Sequence, residues 1–188
     1  MPGRTASRRK TAPVTEEGGD PEKGAWSAAV GVLARRDVAV EQLRAILLGK
    51  SFPEAAVNAA VERLQRERYL DDASLAARYA RSRLELRGQG QHRVRQGLRR
   101  RGVAGATIEA GIREALGEVS EAGVVDRLAR RYWTQRRRDA PARRLRGLWA
   151  FLVRRGFPSD LVHERLRELW PRWSDVLAGL DAGDLEQE

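Results

Sequence analysis

The side chains in this sequence that are able to do chemistry are overwhelmingly guanidinium groups. Only Lys10, Lys23 and Lys50 are lysines among 36 basic residues, and the rest are arginines. A guanidinium is planar, permanently charged and matched to carboxylate and phosphate oxygens, so its chemistry is recognition of acidic partners. The usual catalytic and metal-binding types are sparse. There is no cysteine and there are two histidines, His92 in a basic stretch and His163 near the C-terminal end. Neither histidine has a carboxylate or nucleophile at a suggestive spacing, so no enzymatic activity, no metal site and no cofactor are expected. Asp71-Asp72 could suggest a carboxylate pair, but Asp is also a preferred helix cap, and the cap is the better reading. Gly88-Gln89-Gly90 lacks the preceding strand and the Lys-Ser/Thr of a phosphate loop, and reads as a turn between helices.

Helical phase sorts the arginines. Over residues 91–101 the apolar stripe is Val94 and Leu98, which turns Arg93, Arg99 and Arg100 outward and leaves Arg101 near the core edge. Over 141–155 the stripe is Leu145, Leu148 and Leu152, with Arg143, Arg146 and Arg154 outward. Arg136, Arg137 and Arg138 fall between helices and would extend a basic strip. These nine are the candidate partner- or nucleic-acid-binding residues. The competing reading is a merely solubilising surface supplied by arginine bias. Trp133, Trp149 and Trp170 lie on or beside apolar stripes and are read as packing, not as base-stacking platforms.

The elements that must position these arginines recur three times. The segments LRAILLGKSFPEAAVNAAVERL from Leu43, VRQGLRRRGVAGATIEAGIREAL from Val94 and LRGLWAFLVRRGFPSDLVHERLREL from Leu145 each read as helix, stop, helix. Aligning Phe52, Val103 and Phe157 gives steps of 51 and 54 residues. Five residues earlier stand Leu47, Leu98 and Leu152, and five later Val57, Ile108 and Val162, which is helical spacing. The stops are Ser51, Gly102 and Gly156. Gly there supplies the left-handed conformation that ends a helix, and Ser51 should cost about 1 kcal/mol in the same conformation. Pro53 and Pro158 suit the first turn of the following helix.

The expected helices run 25–36, 39–49, 54–68, 72–86, 91–101, 105–116, 119–134, 141–155 and 159–170. No segment alternates like a strand, so the fold class is all-α, in three tandem three-helix repeats: 24–71, 72–117 and 118–173. Residues 1–23 are rich in Pro, Gly, Thr and charge and read as a disordered arm. Residues 174–188 form an acidic tail. The net charge of +10 is uneven: residues 25–72 hold seven basic and seven acidic side chains, residues 73–116 hold ten and three, and residues 117–173 hold fourteen and seven. A positive field concentrated in the later repeats points to nucleic acid or an acidic assembly. No apolar run approaches a membrane span, and the absence of cysteine suits a reducing cytoplasm.

The motifs YLDDASLAARYARSRL, RGQGQHRVRQGLRRRGV and RRLRGLWAFLVRRGF resemble the RecX family, the modulators of the RecA recombinase, and the resemblance covers roughly residues 25–170. It implies an elongated, curved array of three-helix repeats with no enzymatic activity. It further implies a monomer that binds RecA and the RecA–single-stranded-DNA filament and mainly inhibits ATP hydrolysis, strand exchange and co-protease activity. DNA repair, homologous recombination and the SOS response would be regulated in this way, with direct DNA contact in reach of the basic face. The alternative left open is a helical DNA-binding protein that acts independently of RecA.

Overall fold

The structure, a computed structural model, describes residues 20–173. Within that range every regular element is helical: α1 (Pro21–Leu33), α2 (Val40–Leu48), α3 (Glu54–Arg66), α4 (Asp72–Glu85), α5 (Gln91–Arg99), α6 (Gly105–Glu118), α7 (Glu121–Gln135), α8 (Pro141–Arg154) and α9 (Ser159–Leu169), followed by a 3₁₀ turn at Pro171–Trp173. No described helix is long and apolar enough to cross a membrane.

The helices pack in threes, α1 with α2 and α3, α4 with α5 and α6, and α7 with α8 and α9. Each trio closes over the stripe expected from its sequence. Leu43, Leu47, Val57, Val61 and Leu64 are buried in the first, Val94, Leu98, Ile108, Ile112 and Ala115 in the second, and Leu148, Leu152, Val162 and Leu166 in the third. Burying one such leucine or valine contributes about 1.5–3 kcal/mol. The chain forms two compact units, one ending at Leu70 and holding α1–α3, the other beginning at Asp71 and holding α4–α9.

One backbone device ends α2, α5 and α8. Ser51, Gly102 and Gly156 all adopt positive φ, at 66°, 79° and 88°. After each, the apolar residue donates its N–H back across the turn: Phe52 to Leu47 O at 3.4 Å, Val103 to Leu98 O at 3.3 Å and Phe157 to Leu152 O at 3.3 Å. A second, shorter bond pairs Ser51 N with Leu48 O, Gly102 N with Arg99 O and Gly156 N with Val153 O. This is the Schellman closure, which satisfies carbonyls that a helix end would otherwise leave open. Pro53 and Pro158 then occupy the cap position before α3 and α9 and not the first helical turn. Their fixed φ of −58° is compatible with that extended residue.

Two helix starts depart from expectation. Helix α1 begins at Pro21, so residues 21–23 are not part of an arm. The local signal is complete: Asp20 accepts from Glu22 N at 3.0 Å, Pro21 takes the first helical position and Glu22 faces the positive end of the dipole. Helix α7 begins at Glu121 and not at 119, because Ser120 Oγ accepts from Gly123 N at 3.1 Å. The rest of the arm and the acidic tail lie outside the described residues.

Candidate interaction surface

All nine candidate arginines, the six placed by helical phase and the three between helices, are exposed. On α5 the buried face is Val94, Gly97 and Leu98, and on α8 it is Leu145, Leu148, Trp149 and Leu152. Arg101 turns inward as expected. Its guanidinium donates to Gly97 O at 2.9 Å and lies 4.5 Å from the Tyr79 ring centroid, a geometry that spends its charge on the core edge.

Three of the nine share one site. Arg93, Arg99 and Arg154 line a surface groove of about 360 Å³ together with His92, Arg95, Gln96 and Gly156. Arg100 and Arg143 continue from it at the far ends of the same two helices. Arg93 and Arg100 are seven residues apart on α5, hence on nearly one face and about 10 Å apart along the axis. Arg154 and Arg143 are eleven residues apart on α8, again on nearly one face and about 16 Å apart. Arg136 closes α7, where it lies 5.2 Å over Tyr132 and 3.8 Å from Asp139, and Arg137 and Arg138 follow it in the turn.

Partners divide these side chains further. Among the described residues none of Arg99, Arg100, Arg143, Arg146 and Arg154 is paired with a carboxylate. Arg93 is committed, since its Nη1 donates to Arg154 O at 2.9 Å. Arg95, which helical phase did not single out, faces the groove but is held by Glu109 through Nε–Oε1 at 2.6 Å and Nη2–Oε2 at 2.9 Å. That pairing holds the Glu109 carboxyl below its ordinary range, so the pair stays charged at neutral pH. Arg165 is likewise fixed, with Nε and Nη2 on the two oxygens of Asp126 at 2.9 and 2.7 Å. Arg144 stacks 3.6 Å from the Trp133 ring, and Trp133 in turn packs on Trp170 with centroids 4.5 Å apart. Trp149 is buried beside His163, so the three tryptophans read as packing do pack.

The groove depends on how α5 begins. Helix α5 has no side-chain cap of its own. Its free amides are satisfied from the third repeat instead: Gly90 N donates to Arg155 O at 2.9 Å, Gln91 N to Glu121 Oε1 at 2.9 Å and His92 N to Gly156 O at 3.0 Å. Arg155 returns the contact by donating to Arg87 O at 2.9 Å and Gly88 O at 3.0 Å. The Gly88-Gln89-Gly90 segment is thus a turn, with Gly88 at φ +55°, and it docks onto the end of α8. The carbonyl end of one helix meets the amide end of another, which is the favourable order for two dipoles.

Asp71 is the cap of α4. It accepts from Ala73 N at 2.9 Å, Ser74 N at 3.0 Å and Ser74 Oγ at 2.9 Å, and these bonds hold its carboxyl below the ordinary value. His92 sits at the groove and His163 against Trp149, on different helices, and among the described residues neither is joined to a carboxylate.

Residues 71–112 match the family model described as RecX, second three-helix domain. The chain is 34% identical over 148 residues to the regulatory protein RecX of Trichlorobacter lovleyi, covering 78% of this chain and 96% of that one. It is 36% identical over 151 residues to the regulatory protein RecX of Halorhodospira halophila, covering 78% and 88%. A crystal structure of RecX from Lactobacillus salivarius superimposes with a TM-score of 0.71 at 17% identity, over 80% of this chain and 97% of that one. The likeness at that identity is one of fold.

Proposed function

From the premise that the chain belongs to the RecX family of regulatory proteins, we propose that it binds RecA on single-stranded DNA and restrains its ATP hydrolysis, strand exchange and co-protease activity. The observation that carries this reading is the match to relatives named as regulatory proteins across more than three quarters of the chain. The surface of the second unit supports it. Arg99 and Arg154 face one groove without carboxylate partners, and Arg100, Arg143 and Arg146 continue the positive face along α5 and α8. Unpaired guanidinium groups in such an arrangement suit acidic side chains of protein subunits and the phosphates of the strand they coat.

No chemistry by this chain is needed for the effect. A protein that binds one state of a filament more tightly than the others holds it there by the difference in affinity. Restraint of turnover then follows from occupancy. The same face also suits DNA alone, which is the second reading. A complex made by the five unpaired arginines with duplex phosphates would show a log–log salt slope no steeper than about −4 to −5.

The test is a titration of the protein into RecA assembled on single-stranded DNA, with ATP hydrolysis and strand exchange followed together. Both should fall to a plateau at substoichiometric or equimolar protein. Unchanged RecA activity, with tight salt-sensitive duplex binding, would replace the proposal by the DNA-binding reading.

A further inference from the structure

The attachment of the second repeat to the third has little freedom. A Cβ built on Gly90 would lie 2.2 Å from Phe157 N and 2.3 Å from Gly156 C. One built on Gly156 would lie 2.6 Å from Arg93 N, and Gly156 is also at φ +88°. In both cases the obstacle is backbone, which cannot swing aside as a side-chain tip can. Two strands of main chain are therefore in direct contact, bonded by Gly90 N to Arg155 O and His92 N to Gly156 O. Glu121 closes the third side. It is buried in the first turn of α7, with Oε1 accepting from Gln91 N at 2.9 Å and Oε2 from Gln91 Nε2 at 3.1 Å.

A buried carboxylate is costly unless its oxygens are occupied, and here both are occupied by one residue of the neighbouring repeat. The contact is therefore specific for one placement of α5 against α7 and the α8–α9 turn. That same placement brings Arg99 of α5 and Arg154 of α8 to one groove, because Arg154 and Gly156 belong to the turn on which α5 is seated.

We propose that Gly90, Gly156 and Glu121 form an interlock that fixes the second repeat to the third in a single geometry, and that these positioning residues set the affinity of the basic groove for its acidic partner. This rests on the functional reading above in its second half only. The interlock itself is a property of the fold.

The chain has no cysteine, so a nitroxide pair is placed without background by E114C on α6 and E164C on α9, both exposed. Pulsed EPR of the full chain should give one narrow distance. Gly90→Ala and Glu121→Ala should broaden or shift it, and each should raise the concentration for half-maximal restraint of RecA ATPase at least tenfold. Glu121→Gln should restore both, since the introduced amide oxygen accepts from Gln91 N and its nitrogen donates once the Gln91 amide turns over. Circular dichroism and thermal unfolding establish which variants are folded, and Glu121→Ala decides the matter if Gly90→Ala does not fold. A wild-type distance in folded Glu121→Ala overturns the interlock. A changed distance with unchanged half-maximal concentration overturns its role in affinity. A wild-type chain without effect on RecA, with the distances behaving as expected, overturns the functional reading and leaves the interlock standing.

Discussion

The unit that ends at Leu70 and the unit that begins at Asp71 are built with the same helix-ending turn, and they differ in their balance of charge. In the first, basic and acidic side chains balance, and two of the arginines are taken up locally. Arg44 bonds Asn58 and lies 3.6 Å from Glu41, and Arg63 bonds Glu67 at 2.8 Å while stacking 3.9 Å over Trp26. Residues 25–72 are electrically balanced. In the second, basic side chains outnumber acidic ones, Arg99, Arg100, Arg143, Arg146 and Arg154 have, among the described residues, no hydrogen bond or ion pair from their guanidinium groups, and three of the nine candidates meet in one groove. The turn differs in the same sense. Ser51 adopts φ 66° with no neighbour that demands glycine, whereas Gly156 adopts φ 88° with the backbone of Arg93 against it. A repeated scaffold therefore does not imply a repeated function, and of these two turns the one at Gly156 also serves as a docking surface.

The largest effect that would sharpen this contrast is at the crowded turn. Gly156→Ala adds the strain of a left-handed side chain to a collision with main chain, and should cost about 2–4 kcal/mol in denaturant unfolding. A loss below 1 kcal/mol would show that the turn is no tighter than its counterpart in the first unit. At that counterpart the sign reverses: Ser51→Gly should gain about 1 kcal/mol, because the strain is removed and nothing nearby is displaced. A destabilised Ser51→Gly would break the comparison outright. Asp71→Ala, at the junction of the two units in sequence, should cost about 1 kcal/mol through the lost cap of α4. The Asp71 carboxyl titrates below its ordinary value of 3.8 in the fold, so its contribution is present above that pH and is lost as pH falls through the lowered folded value. Asp71→Asn, whose side-chain oxygen still caps, should flatten the acid limb of the unfolding curve by comparison with the wild type.

The smallest effect concerns Glu121. Burial pushes its carboxyl above the ordinary 4.5, against the pull of Gln91, His92 and Arg95. A raised folded value means that the fold favours the protonated form, so this group's contribution to stability falls as pH rises from 4.5 through the folded value. Glu121→Gln should accordingly match the wild type near pH 4 and be slightly more stable at pH 7. Thermal unfolding at the two pH values checks it, and a variant that is less stable only at pH 7 would show that the ionised carboxylate is favoured where it sits.

How much of this was legible in the sequence follows the range of the interactions. The three turns were readable because Leu47, Ser51 and Phe52, and their counterparts, lie within six residues of one another. The outward set of arginines was readable because helical phase is local. The start of α1 was locally signed by Asp20, Pro21 and Glu22, but the composition of the preceding segment outweighed it. The cap of α5 was not legible, since its acceptors are Glu121, thirty residues on, and Arg155 and Gly156, more than sixty on. For the same reason phase alone could not separate Arg93, which is tied into the structure, from Arg99 and Arg154, which are unpaired. Outwardness is set by the helix, and availability is set by what the fold brings opposite.

The central claim is that the second unit's unpaired arginines carry the contact with the RecA filament. The direct measurement is RecA ATPase on single-stranded DNA, titrated with two folded variants of equal charge change. In one, Arg99, Arg100, Arg143 and Arg154 are replaced by Glu, with Arg93 left to hold its bond to the backbone carbonyl of residue 154. In the other, Arg35, Arg36, Lys50 and Arg66 of the first unit, all exposed, are replaced by Glu. The account predicts that the first variant loses restraint of the ATPase by at least a hundredfold in half-maximal concentration, while the second changes it by less than threefold. Equal loss in both, or full restraint by the first, would contradict it.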